Sequence, residues 1–423
     1  IGIPRFINPL LAISDADRDM TALLYAGLMR ASKNGLIPDL AESYEISDDG
    51  LFYTFTLRED IEFHDGTPIT TDDVEFTILK AQDPTLKSPK RASWEGVRVE
   101  KLDQRRIQFV LKQPYSPFLE NTTIGIMPKT IWKNADPEQF SFSEFNIEPI
   151  GSGPYKISAL KRNKSGIPEY YDLIPFRAYA LGKPYIKNIR MSFYTNEAAL
   201  LQALRAGDIE SVNAISPMSA QALSDEGFRV LRAPLPRVFG VFFNQNQAPI
   251  FAEKAVRDAL SEVAPRETII RDVLFGYGTP LIGPIPPGSR GYAEISEEKK
   301  SAEERRTHAQ EILKKAGWVI GDGGVYEKKK SKKETVRLAF SLATSDVPEL
   351  KAVAEQIKAE WESIGASVEL KIFESGDLNQ NVIRPRKYDA LLFGEIVGRD
   401  SDLFAFWHSS QRNDPGLNIA LYT

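Results

Sequence analysis

Residues 36–79, LIPDLAESYEISDDGLFYTFTLREDIEFHDGTPITTDDVEFTIL, decide how this chain is read. Asp48-Asp49-Gly50 is a tight-turn signal, since aspartate side chains hydrogen-bond nearby amides and glycine accepts left-handed backbone. Tyr53, Phe55 and Leu57 then alternate with Thr54, Thr56 and Arg58, the period of a half-buried strand. His64-Asp65-Gly66-Thr67-Pro68 makes a second turn. Thr70 through Asp73 has the cap-and-carboxylate spacing that opens a helix, and Val74, Thr77, Ile78 and Ala81 follow on one face. The order is turn, strand, turn, helix.

Working outward, 423 residues exceed one ordinary core and predict two or three domains. A hydrophobic content of 42% with 26% charged residues is that of a globular protein. The formal net charge of −5 gives no electrostatic reason to expect nucleic acid or an anionic membrane as partner. No apolar stretch approaches the roughly 20 residues of a membrane-spanning helix. Cysteine is absent, which removes disulfides and thiol chemistry. The run Lys328-Lys329-Lys330-Ser331-Lys332-Lys333 is read as a solvated hairpin tip.

Residues 6–11 read as a buried strand and loop, followed by a helix carrying Met20, Leu23, Leu24 and Leu28. Short strands at Val97–Val99 and Ile107–Lys112 join Tyr53–Arg58 in an antiparallel α+β subdomain. Gly151-Ser152-Gly153-Pro154-Tyr155 pairs glycines, for close backbone approach, with a proline at a strand entry. Asn196 is a cap and Gly207 a stop for a helix bearing Ala199, Leu200 and Leu204. Ser301 with Glu304, and Asp346 with Glu349, have capping spacing; strands at Val368–Phe373 and Tyr388–Phe393 complete a strand–helix–strand unit.

Four segments in this order resemble the family 5 extracellular solute-binding proteins, the peptide- and nickel-type receptors of ABC importers. They are residues 36–79, the Gly151–Ile157 element, Thr195–Glu210, and Val241-Phe242-Phe243-Asn244-Gln245 with Val256-Arg257-Asp258-Ala259-Leu260. The last is followed by Val263-Ala264-Pro265 where the family usually has Ala-Ile-Asp, a departure tolerated if Pro265 opens the next helix. The resemblance implies an α/β, two-lobe periplasmic-binding-protein fold of type II with an extra α+β subdomain. Its expected limits are lobe I at 1–36 and 150–240, the extra subdomain at 37–149, and lobe II at 241–423. Family members usually run on beyond the point where this chain stops, so it is read as truncated at the C-terminus, without the segment returning to lobe I. It is likewise read as a mature chain whose export signal and lipid-anchoring cysteine lie upstream of Ile1.

The resemblance also implies a monomeric, non-enzymatic, extracytoplasmic receptor. It would close two hinged lobes on an oligopeptide or dipeptide and deliver it to the ABC permease subunits, with no cofactor and no nucleic-acid partner. A nickel complex, haem or an oligosaccharide is the alternative ligand on the same fold. In peptide-binding relatives an aspartate after a Gly-Trp pair holds the ligand's amino group. The matching stretch contains Gly394, Glu395, Ile396, Arg399 and Asp400, so Asp400 is the leading amine partner and Glu395 the second. Glu395 stands in place of the tryptophan, and Arg399 is the candidate for an anionic group. Ala343 and Thr344 fall where relatives make backbone contacts. Asn8, Ile13 and Ser14 are expected to face the cleft from lobe I, Asn244 marks the crossing, and Trp407 is the candidate cleft wall.

Catalytic and metal-binding patterns are absent from the sequence. His64, His308 and His408 are scattered without ligand spacing. No nucleophile elbow or phosphate loop occurs. His64 is expected to make a structural hydrogen bond, and His308 to be solvated.

Overall fold

The computed structural model describes residues 2–421 except 33–34, 116, 137, 234, 236, 288, 290–291, 293–299, 332–333, 397–405, 414–415 and 417, and gives backbone only at 375 and 396. The chain forms two compact units, residues 1–215 and 216–423.

In the first unit, α1 (Asp15–Leu24) is opened by a reciprocal cap in which Ser14 and Asp17 satisfy each other's backbone amides. A four-stranded antiparallel sheet follows, built from β1 (Ala41–Ile46), β2 (Phe52–Leu57), β3 (Arg98–Lys101) and β4 (Arg106–Val110) in the order β1-β2-β4-β3. Between β2 and β3 run α2 (Thr71–Gln82), capped by Thr70 and Asp73 as the sequence predicts, and the single turn α3 (Arg91–Trp94). Tyr53, Phe55 and Leu57 are the buried residues of β2, so the alternation read from sequence is the alternation of the pleat. Phe55, Trp94, Phe109 and Phe118 meet through tilted or edge-on ring contacts in that core. A second sheet of β5 (Tyr155–Arg162), β6 (Pro168–Pro175) and β7 (Ile189–Ser192) precedes α4 (Glu197–Ala206). Asn196 caps α4, and Gly207 ends it in left-handed backbone at φ +80°.

Two expectations for this unit need correction. Residues 7–11 are buried and Phe6 is half-buried, but the stretch forms no strand. Asn8 Oδ1 accepts from Leu10 N at 2.9 Å, while Asn8 O accepts from Leu11 and Ala12, so the side chain turns the backbone where a ladder would need it extended. Leu28 is buried beyond the end of α1, whose chain has already left helical geometry at Tyr25.

His64 makes the structural bond expected of it. Gly151 N donates to Nδ1 at 3.3 Å, which places the ring proton on Nε2, 3.2 Å from Gly153 O. Phe176 packs edge-on against the ring. Burial holds His64 down to about 4; the bond to Gly153 opposes this and the Lys156 charge adds to it. The unfolded chain therefore takes up this proton near pH 6.5 and the folded one only near 4. Stability from His64 is present at neutral pH and is lost as pH falls across that window, by about 3 kcal/mol at most. Urea midpoints of wild type and His64→Asn, compared from pH 7 to 4, should converge on acidification; a constant gap refutes the assignment.

The second unit is organised on a four-stranded sheet of β8 (Arg237–Phe243), β9 (Ala339–Ser345), β10 (Ser367–Phe373) and β11 (Ala390–Ile396), in the order β8-β11-β9-β10. β9 runs parallel to β10 and β11, and β8 is antiparallel at the edge. One face packs on helices α5 (Lys254–Glu262), α6 (Arg266–Asp272), α7 (Ala302–Lys315) and α8 (Pro348–Ser363), around Trp318, Phe340 and Trp361. The other holds a smaller cluster with Phe242, Ala343, Leu378, Leu391 and Ile419.

Pro265 does open α6, and Ser301 caps α7 with Glu304. Asp346 and Glu349 do not cap α8: Pro348 supplies its first position, and the amide of Asp346 bonds Phe373 O instead. His308 is not simply solvated, because its Nδ1 lies 3.0 Å from Glu262, which also pairs with Lys300. Lys328, read as part of a solvated tip, pairs with Glu253 at 2.9 Å.

Candidate ligand-binding site

In open sheets with parallel strands, ligands gather at the carboxyl ends, where backbone groups and loop residues converge. In the second unit β9 and β11 run in parallel with Ala343 level with Leu391, so Thr344 lies near the carboxyl end of β9 while Gly394, Glu395 and Ile396 extend β11 beyond it. The antiparallel β8 adds its first residues, with Phe239 opposite Gly394, Val238 opposite Glu395 and Arg237 opposite Ile396.

Gly394 lies under the ring of its neighbour. A Cβ there would stand 2.5 Å from the Phe239 ring, which lies across the glycine while remaining 53% exposed. The Arg237 guanidinium sits 5.8 Å from the same ring. Ala343 is buried in the smaller cluster, and Thr344 donates its hydroxyl to Leu392 O at 3.0 Å.

Glu395 is the unusual group. It is 5% exposed, and its Oε2 has no hydrogen-bond partner among the described residues. Burial pushes its carboxyl up to about 8, against the opposing charge of Arg386. Asn244, at the end of β8, donates to Arg386 O at 2.8 Å and accepts from the amides of Asn246 and Gln247, so its side chain shapes the turn. Trp407 is half-buried and stacks on Phe242 at 6.2 Å. Arg399 and Asp400 lie outside the described residues.

In the first unit the expected residues fall on one loop. Asn8 is fully buried and bonds Asn146 at 2.9 Å, Ile13 is 64% exposed, and Ser14 caps α1. Arg18 reaches back to Ile13 O and to Asp15, both at 2.6 Å.

Sequence reasoning missed Asp17, the knot of this loop. Its buried carboxylate accepts from the amides of Arg5, Phe6, Ile13 and Ser14. Burial alone would raise its pKa, but those amide bonds prevail and hold it below the usual range. The capping spacing of Ser14 and Asp17 was the signal that could have found it.

Among the described residues no group of three or more histidine, cysteine or acidic side chains is placed to hold a metal ion, and no helix is long and apolar enough to cross a membrane. The site presents backbone, one buried carboxyl and exposed aromatic surface, which suits binding of a polar solute.

Comparison with known proteins gives this class a family. The model for bacterial extracellular solute-binding proteins, family 5 Middle, matches residues 35–415, and the chain belongs to that family. Oligopeptide-binding protein AppA of Bacillus subtilis is 29% identical over 431 aligned positions, covering 100% of this chain and 77% of the relative. The solved structure of AppA from Bacillus subtilis with a nonapeptide superposes with a TM-score of 0.73 at 27% identity, covering 100% of this chain and 83% of that one. NikZ from Campylobacter jejuni, solved with Ni(L-His), gives a TM-score of 0.74 at 27% identity, covering 99% of this chain and 81% of its own. The α/β periplasmic-binding-protein fold expected from the sequence is therefore the one found, and membership places the protein outside the cytoplasm.

Proposed function

We propose that this protein is a receptor subunit of an ABC importer that binds a peptide between two hinged lobes and passes it unaltered to the permease. The lobes are taken as 1–36 with 150–240 and as 241–423, with 37–149 as the extra subdomain. The receptor acts as a monomer without catalysis, held at the membrane by a lipid anchor. Glu395 carries the peptide reading: a buried carboxyl with one oxygen that has no partner among the described residues, at the carboxyl end of β11, is suited to a ligand ammonium. Beside it β8 is the edge of its sheet, and an edge strand offers backbone groups to an extended peptide whatever its side chains.

A second reading, a metal chelate, is favoured by the likeness to NikZ, since an amino-acid chelator also brings ammonium-derived nitrogen and carboxylate. Gently purified protein should release short peptides on denaturation in mass spectrometry, and a peptide pool should raise Tm by several degrees. Stabilisation by nickel–histidine but by no peptide selects the chelate reading. Turnover of added peptide in proportion to protein concentration overturns both.

A further inference from the structure

The net charge of −5 hides an uneven distribution along the chain. Residues 149–196 hold eight basic side chains against two acidic ones, a local net of +6. This stretch is the sheet of β5, β6 and β7 with its connections. Arg162 pairs with Glu148 and Arg190 with Asp172, while the five lysines and Arg177 have no carboxylate partner among the described residues. Strand register sorts the two faces. Tyr171 and Leu173 are fully buried and turn one face to the core. On the other, Lys156 stands beside Ile174, Arg190 beside Asp172 and Lys161 beside Tyr170, and none of these six is buried. The Arg190 guanidinium lies 4.0 Å from the centre of the Tyr170 ring. Each end of β6 adds cations and exposed apolar groups. The β5–β6 hairpin tip carries Lys164 and Ile167, and the β6–β7 connection carries Lys183, Lys187, Ile186 and a wholly exposed Tyr185. Tyr155 donates its hydroxyl to Ile186 O at 3.3 Å, which ties that connection to the sheet. Lysines flanking exposed tyrosine and isoleucine are the composition of a surface that meets lipid headgroups. Gly2 lies at the hairpin end of the sheet: Phe193 N donates to Glu169 O, and Gly2 N to Tyr194 O.

We propose that the outer face of the β5–β6–β7 sheet, with the tips at its two ends, is the surface by which the protein rests on an anionic membrane. The tips lie at opposite ends of β6, so a surface that touches both passes over Lys156, Lys161 and Arg190 between them. Lipid phosphates pair with the free cations, and Ile167, Tyr185 and Ile186 reach the interfacial layer. The position of Gly2 favours a membrane over an acidic protein surface. The lipid anchor proposed above would enter beside the hairpin tip, and one acyl group and a basic face together hold far better than either alone. The inference rests on that anchor for its orientation, whereas the charge and the apolar tips stand without it.

The test is co-sedimentation of the whole chain, without any lipid attached, with vesicles of phosphatidylcholine alone or mixed with phosphatidylglycerol. Binding to the anionic vesicles should be at least about tenfold stronger at low salt and lost at high salt. Lys161→Gln, Lys164→Gln, Lys183→Gln and Lys187→Gln together should remove that preference. Lys314→Gln, Lys315→Gln, Lys329→Gln and Lys330→Gln, an equal loss of charge from exposed positions of the second unit, should keep it. Equal binding to the two kinds of vesicle, or equal loss in the two variants, overturns the proposal. Ser165→Cys accepts a polarity-sensitive dye at one place, since the chain has no other cysteine. Its emission should shift to the blue on anionic vesicles, and an unshifted dye overturns the contact. Salt-sensitive self-association without vesicles, abolished by the first variant alone, assigns the face to a second copy and also overturns it. Both variants should bind peptide as the wild type does, so failure on vesicles leaves the receptor reading standing, and loss of peptide binding by the wild type leaves the vesicle result to stand alone.

Discussion

Gly151→Ala is expected to leave the first unit severely destabilised, by at least about 3 kcal/mol, or unable to accumulate as folded protein. The reason is steric. Neither Gly151 nor Gly153 has positive φ, so an alanine would be comfortable at either backbone conformation. A Cβ on Gly151, however, would lie 1.9 Å from Leu24 O, and one on Gly153 would lie 2.5 Å from Leu24 C. The obstructing atoms are backbone at the end of α1 and cannot swing aside as a side-chain tip would. Gly153 N also donates to Leu24 O, and His64 N to Gly151 O, so retreat would break hydrogen bonds on both sides. Gly240, on β8, is the control: its φ is ordinary and nothing lies within 4 Å of an added Cβ, so Gly240→Ala should change stability by less than about 1 kcal/mol. Urea midpoints of the three proteins decide this. A Gly151→Ala variant as stable as Gly240→Ala would show that the close approach to α1 is not required.

What made these features legible was local chemistry. Thr70 with Asp73, Asn196 with Gly207, and Ser301 with Glu304 announced their helices because a cap is decided by residues three or four apart. The strand Tyr53–Arg58 announced itself because one face of its sheet is buried. The failures came where a tertiary partner took over. Asn8 spends its oxygen on Leu10 and its amide on Asn146, 138 positions away, and no period in 6–11 encodes that. Asp346 lost its cap to Phe373 of a neighbouring strand. The glycines of Gly151–Gly153 were read correctly as permitting close approach, but that α1 is what approaches could come only from the fold. At the candidate site, the resemblance pointed to residues that lie on β9 and β11. It could not show that Glu395 is buried with no partner for one oxygen among the described residues, because Leu391-Leu392-Phe393-Gly394-Glu395-Ile396 has the same text whether its glutamate faces water or protein.

Glu395→Gln should match the wild type in stability near pH 4.5 and exceed it increasingly as pH rises. Glu395 is nearly inaccessible, and Arg386, the opposing charge among the described residues, already serves the carbonyls of Ile383 at 2.6 Å, Gly416 at 2.7 Å and Arg412 at 3.2 Å. Its pKa of about 8 in the folded protein stands above the ordinary 4.5 of the unfolded chain. The folded state therefore holds the proton longer, and the stability this contributes is full below pH 4.5 and lost as pH climbs through 8. The total change is roughly 4–5 kcal/mol. Glutamine keeps a neutral side chain of the same shape and escapes that loss. Urea midpoints at pH 5, 7 and 9 should show the gap opening with pH; a gap that is constant, or that closes, removes the premise that Glu395 is neutral in the empty receptor. The same proton then reports on the ligand. An ammonium brought to Oε2 would favour the carboxylate and expel the proton, so binding enthalpies at pH 7 should differ between Tris and phosphate by up to one buffer ionisation enthalpy. Glu395→Gln should abolish that difference and weaken binding. If instead Asp400 meets the amine, Asp400→Asn will weaken binding while the buffer dependence from Glu395 never appears, and the two carboxylates are told apart by one pair of titrations.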